Sequence, residues 1–208
     1  MEAQGVAERR RRRSSQAVVD QLLDAALIEF AAHGYAGAST RAIAERAGAH
    51  QPQINYHFRS KEALWQAAVD RLFAELDAEL GATPEVLGED LLGRFASFVR
   101  AFVGFSARRP ELHRIMNQES TADSPQLAWV VSRHIAPRIE VLSVAWSAVR
   151  EAGAVADLDP AEVWELLIGF GALPYANAPL RRQLFGPVRA DDVDRRAARL
   201  IALLAAGP

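Results

Sequence analysis

From Ser14 almost to the C-terminus, the apolar residues of this chain recur with the 3.6-residue period of an α-helix. No stretch holds the two-residue alternation of a strand for long. That periodicity confines the chain to an all-α fold. Val19, Leu22, Leu23, Ala26, Leu27 and Phe30 lie on one face of a first helix, and Gly34 is placed to stop it. A second short helix runs from about Thr40 to Ala47, with Ser39 or Thr40 as its N-cap and Gly48 ending it. A third spans about Gln51 to His57, and a longer one begins at Lys61 and runs to about Leu80, capped by Ser60. The long helix carries two apolar rows, a stripe wide enough to be buried on two sides. Pro84, Pro110, Pro125 and Pro160 each precede a helical pattern and suit first-turn positions. Pro137 sits inside an apolar pattern from Gln126 to Val149, which it should kink or split. The last two helices are expected at about 160–177 and 191–206.

Two helices of about two turns joined through a glycine have the format of a helix-turn-helix. Ile43, Ala44, Ala47 and Ile54 are the apolar residues that pack such a pair, leaving His50, Gln51, Gln53 and Asn55 to face outward. Gln and Asn can bond an adenine edge bidentately in the major groove, and His can donate to a base or a phosphate. Pro52 falls in the first helical turn, where its missing N–H costs nothing. Tyr56, His57, Arg59 and Lys61 close the segment with a hydroxyl and cations, groups that bind phosphate oxygens and fix register.

The run Gly34-Tyr35, Ser39-Thr40-Arg41-Ala42-Ile43-Ala44, Gly48 and then Ile54-Asn55-Tyr56-His57-Phe58-Arg59-Ser60-Lys61-Glu62-Ala63-Leu64 resembles the DNA-binding domain of the TetR family of bacterial transcriptional regulators. The resemblance covers about residues 15–64; beyond residue 80 only the helical layout and the size are similar. It implies that Thr40, Tyr56, His57 and Lys61 contact phosphates, and that residues from His50 to Asn55, Pro52 among them, face base edges. Asn55 and Pro52 depart from the usual pattern, which has an aromatic and a small residue there. It further implies a larger C-terminal domain that encloses a small-molecule pocket and forms a homodimer through its last two helices. The expected organisation is a disordered basic arm over 1–14, a helix-turn-helix domain over 15–60 and an effector-binding and dimerisation domain over 61–208.

For that C-terminal domain, Phe98, Phe102, Phe105, Met116, Trp129, Trp146, Trp164, Phe170 and Tyr175 are the apolar pocket candidates, although aromatics at helical spacing are more often core. His113 joins them as a polar candidate, with Asn117, Gln118, His134 and Asn177 as further options. Such a lining suits an apolar or aromatic effector. Gly169 and Gly171 permit close helix approach, and the final helix has its own apolar face for a dimer contact.

Charge fits this division. Residues 1–61 hold nine Arg/Lys and six Asp/Glu, a net of +3, whereas residues 62–208 hold fifteen and twenty, a net of −5. The five consecutive arginines Arg9–Arg13 repel one another, and the arm they form either lies along DNA or is simply solvated. With no cysteine there is no disulfide, thiolate metal site or cysteine nucleophile, and His113 and His134 form no metal pattern with nearby carboxylates. No nucleophile elbow, P-loop, dinucleotide fingerprint or clustered acid/base pair is present, so an enzyme is not expected and no cofactor is implied. No apolar run reaches the roughly 18 residues of a membrane span, and no secretory signal opens the chain, so a cytoplasmic protein is expected. The reading is a DNA-binding repressor released from a palindromic operator by a small molecule. Its alternative is a constitutive DNA-binding regulator without an effector.

Overall fold

A computed structural model describes residues 2–81, 91–152, 155–187, 189 and 191–205, with side chains described from residue 15 onward. Twelve α-helices and two π-helical turns make up the ordered elements among the described residues, and none is a strand. The chain divides into two compact units, Met1–Leu72 and Phe73–Pro208. Pro84 lies outside the described residues.

The first unit contains α1 (Glu2–Gly37), α2 (Thr40–Arg46), α3 (Gln51–Phe58) and the first part of α4 (Lys61–Gly81). Helix α1 extends back through the arginine run to Glu2, where the sequence led us to expect a separate disordered arm. Arginine is a good helix former, so a helix nucleated further along can propagate into it. Leu22, Leu23, Ala26, Leu27 and Phe30 are buried as one face, and Gly34, at φ 66°, breaks the helical geometry at the expected place. Few residues other than glycine adopt that backbone. The Ser39 hydroxyl then accepts from the Ala42 N–H and caps α2.

Leu64, Trp65, Ala68, Val69 and Leu72 of α4 are all buried. Trp65 meets Tyr35 edge-on at 5.9 Å, and Arg71 pairs with Asp24 at 2.6 Å. The unit therefore ends at Leu72, inside α4, where the sequence placed the boundary before Lys61.

The second unit holds the rest of α4, then α5 (Leu91–Arg108), α6 (Pro110–Glu119), α7 (Pro125–Val130) and α8 (Ala136–Glu151). It continues with α9 (Pro160–Leu166), α10 (Leu173–Ala176), α11 (Ala178–Phe185) and α12 (Asp192–Ala205). Pro110, Pro125 and Pro160 open their helices as expected. Asp159 completes a capping box with Glu162, each side chain accepting from the other's backbone N–H.

Pro137 splits the 126–149 pattern by widening it: a π-helical turn, Val131–Ile135, joins α7 to α8 immediately before it. The turn relieves the clash between the proline ring and the preceding carbonyls. A second π turn, Leu167–Ala172, precedes Pro174 in the same way and joins α9 to α10. Pro174 cannot donate to the Phe170 carbonyl four residues back. Arg196 Nη1 donates to that carbonyl instead, at 3.1 Å. The proline's missing donor is thus replaced by an arginine from α12.

The apolar stripe of α12 is spent within the unit. Ala197, Leu200 and Leu204 are buried, and α12 packs along α5. An ideal Cβ on Gly171 would touch Leu200 and Val103 at 3.4 Å each, so this glycine brings its backbone close to both helices. Ala197, Leu200 and Leu204 of the stripe expected at a dimer contact are thus covered within the unit, while exposed apolar side chains of the unit include Leu180, Leu184 and Phe185 on α11, Leu203 on α12, and Val141 and Val144 on α8.

Candidate functional site

Helix α3 is eight residues long, and Ile54 is its one buried residue. That side chain anchors α3 beside Ile43 and Ala44 of α2, also buried, in the core of the first unit. Burying one such side chain is worth roughly 1.5–3 kcal/mol. The turn between the helices passes through Gly48 at φ 64°.

His50, Gln51, Pro52 and Asn55 are exposed, and Tyr56 is 81% exposed, meeting the His57 ring edge-on at 4.9 Å. A large aromatic hydroxyl held in solvent by a two-helix scaffold is the form of a contact group.

Not every polar residue on this face is free to read a ligand. The Gln53 carboxamide oxygen accepts from the His50 backbone N–H at 2.8 Å, capping α3. Bidentate contact with a base uses that same oxygen, so the cap already occupies one of its two lone pairs and fixes the direction of the carboxamide. Gln51 donates to the Thr40 hydroxyl at 3.4 Å, tying α3 to the start of α2. Asn55 makes no such side-chain bond among the described residues.

Lys61 Nζ donates to the Ala36 carbonyl at 3.2 Å and lies 4.9 Å from the Tyr35 ring centroid. It therefore pins the start of α4 to the end of α1. Between α3 and α4, Arg59 holds φ 65°, a value few residues other than glycine adopt.

The second unit contains a cavity of about 890 Å³. Phe98, Phe102, His113, Met116 and Trp164 line it, as does Asn117. The other candidates lie elsewhere. Phe105 and Trp146 are fully buried in the core, and the Trp146 indole N–H donates to the Leu158 carbonyl at 2.8 Å. Trp129 packs edge-on against His134, which is itself stacked on Phe73 at 4.2 Å. Phe170 and Tyr175 lie under the Arg196 guanidinium at 5.0 and 5.7 Å, and burial pushes the Tyr175 hydroxyl up.

Periodicity misleads here because one helix presents aromatics to both core and cavity. Phe102 and Phe105 share α5, and only the arrangement of its neighbours separates their roles.

Much of the remaining lining is aliphatic, including Leu76, Leu142 and Val149, with Leu167 and Ile168 from the second π turn. Asp77 and Arg138 also line the cavity but largely satisfy one another. Arg138 donates from Nε and Nη2 to the two Asp77 oxygens at 3.2 and 2.5 Å, and its guanidinium lies 4.7 Å from the Phe73 ring centroid. No group of three or more potential metal ligands occurs among the described residues. None of the described helices is long and apolar enough to cross a membrane.

Residues 22–68 match the family model described as bacterial regulatory proteins, TetR family, a stretch running from the α1 core face through the helix-turn-helix into α4. Those residues form a TetR-family DNA-binding domain. The chain is a DNA-binding transcriptional regulator.

Among similar proteins, the HTH-type transcriptional regulator RutR of Escherichia coli is 28% identical over 151 residues, 73% of this chain and 70% of its own length. The HTH-type transcriptional repressor SCO4008 of Streptomyces coelicolor is 27% identical over 182 residues, 84% of this chain and 86% of its own. AibR, solved in complex with isovaleryl coenzyme A and operator DNA, shares the fold with a TM-score of 0.72 at 18% identity, over 90% of this chain and 98% of that one.

Proposed function

We propose that this regulator is a TetR-family repressor that leaves its operator when a small, largely apolar molecule fills the cavity of the second unit. The observation that carries the reading is α4. It begins at Lys61 beside the helix-turn-helix, and from Phe73 onward it supplies five residues of the cavity wall: Phe73, Leu76, Asp77, Leu80 and Gly81. A molecule that fits one setting of α4 better than another shifts the DNA-binding unit by that difference in affinity. Coupling of this kind is typically about 1–3 kcal/mol, or roughly 5- to 150-fold in DNA affinity. The structure of AibR with an acyl-coenzyme A and operator DNA, and the repressor name of SCO4008, support the same assignment.

On DNA, Tyr56, His57, Thr40 and Lys61 place α3 by its phosphates, while His50 and Asn55 meet base edges. Gln51, Pro52 and Gln53 lie in the same contact face, where the two glutamines hold the helix in shape. Among these, Asn55 has the clearest path to direct readout, because its carboxamide is exposed and uncommitted among the described residues.

A homodimer supplies the second recognition helix that a palindromic operator needs. The exposed α11 face of Leu180 (59%), Leu184 (63%) and Phe185 (77%) is the surface we assign to that contact.

The test is release of the full-length protein from genomic fragments it has bound, using fractionated metabolites. Release by an apolar compound, abolished by Phe98→Arg with DNA binding intact, is expected. A protein that no fraction releases would be a constitutive regulator.

A further inference from the structure

His113 reaches the cavity from α6, and its hydrogen-bond geometry determines which atom it offers there. Ser106, on α5 and completely buried, donates its hydroxyl proton to the Phe102 carbonyl at 2.8 Å. A serine hydroxyl has one proton to give. The same Oγ lies 3.0 Å from His113 Nε2, so at that contact the oxygen accepts and Nε2 carries the hydrogen. In a neutral imidazole the other nitrogen, Nδ1, is then a bare acceptor.

No described group donates to Nδ1, although the side chain is 95% buried (5% exposed) and lines the cavity. Burial also holds the imidazole neutral, lowering its pKa to about 4. An acceptor on the wall of a largely apolar cavity with no protein donor is one that a bound ligand can satisfy.

The surroundings narrow the ligand further. Phe102 meets the His113 ring edge-on at 5.7 Å and is itself stacked with Phe98 at 6.3 Å, so aromatic walls flank the acceptor. Met116 and Trp164 add polarisable and aromatic surface to the same cavity. Of the two cavity arginines that could attract a carboxylate, Arg138 is already held by Asp77 through two bonds, and Arg94 also has a partner.

We propose that the ligand of this cavity is an aromatic body bearing a neutral hydroxyl, a phenol, whose O–H donates to His113 Nδ1. The inference rests on the effector reading above and makes it chemically specific. A carboxylate or an ether has no proton to give and leaves Nδ1 unpaired.

The experiment uses full-length protein and three probes that differ at one end, 4-hexylphenol, its methyl ether and 4-hexylbenzoate, with affinities from titration calorimetry. The phenol should bind about tenfold or more tightly than either of the others, the discrimination expected of one buried hydrogen bond. His113→Phe should remove that preference while leaving the ether's affinity within about twofold, since a hydrophobic wall remains. Ether and phenol binding alike, or the benzoate binding best, would overturn the phenol assignment and leave the cavity as a ligand site. Failure of all three to bind would contradict the effector reading and the assignment together.

A second measurement needs no ligand. Long-range ¹H–¹⁵N spectra of histidine-labelled protein should show His113 protonated on Nε2, and protonation on Nδ1 would overturn the inference.

Discussion

Burying His113 makes the protein's stability depend on pH in a direction that can be worked out in advance. Its imidazole has an ordinary pKa of 6.5, lowered to about 4 in the folded chain because burial disfavours the charged form. Between those values the unfolded chain takes up a proton that the folded chain refuses. The contribution to stability is therefore fully present above pH 6.5 and is lost as pH falls toward 4, below which it changes no further. At 1.36 kcal/mol per pH unit the whole loss is roughly 3 kcal/mol, and about 2 kcal/mol of it falls between pH 7 and pH 5. Other carboxylates and histidines also titrate over that range, so the useful quantity is a difference. His113→Gln keeps an N–H for Ser106 but cannot take a proton. Urea unfolding at pH 7 and pH 5 should show the parent chain losing about 2 kcal/mol more stability than the variant. Equal losses in the two proteins would refute the reasoning, because His113 would then be charging in the folded state.

Three further perturbations probe the other parts of the account. Gly48→Ala should cost about 1–2 kcal/mol of stability in thermal or urea unfolding. No atom beyond its immediate chain neighbours lies within 4 Å of the added methyl group, so the cost is that of the backbone at φ 64°. Lys61→Ala should lower affinity about equally for all duplex sequences and reduce the salt slope by roughly 0.9, read by fluorescence anisotropy across a salt series. Loss of its bond to the Ala36 carbonyl should also show as a drop of about 1 kcal/mol in stability. Leu184→Glu places a charge in the exposed apolar face of α11 and should convert dimer to monomer in analytical ultracentrifugation, with the helical content unchanged.

The apolar faces of α1 and α4 were legible because each repeats at helical spacing over several turns and its buried residues are those the pattern selects. The proline-opened helices and the Gly48 turn were legible because proline and glycine act through local backbone geometry. What stayed hidden depends on contacts between residues distant in sequence. Nothing local assigns the Gln53 carboxamide to the His50 N–H in preference to solvent. The split of a single expected helix over 160–177 into α9, a π turn and α10 follows from Pro174 together with an arginine 22 positions further on. Phe98 and Phe102 line the cavity while Phe105 does not, and Ser106 meets His113 only because the chain turns at Arg109 and Pro110. That pair, which decides the chemistry the cavity offers, has no spacing that would reveal it.

The most direct test of the central claim is selection of duplex DNA from a random pool by the full-length protein, run in parallel with Asn55→Ala and Tyr56→Phe. The account predicts a two-fold symmetric motif for the parent chain. Asn55→Ala should change the preferred base at one position of each half, whereas Tyr56→Phe should weaken binding and leave the motif as it is. A parent chain that enriches no motif, or an Asn55→Ala chain that returns the parent motif unaltered while Tyr56→Phe changes it, would contradict the claim that α3 reads bases through Asn55 and is positioned by Tyr56.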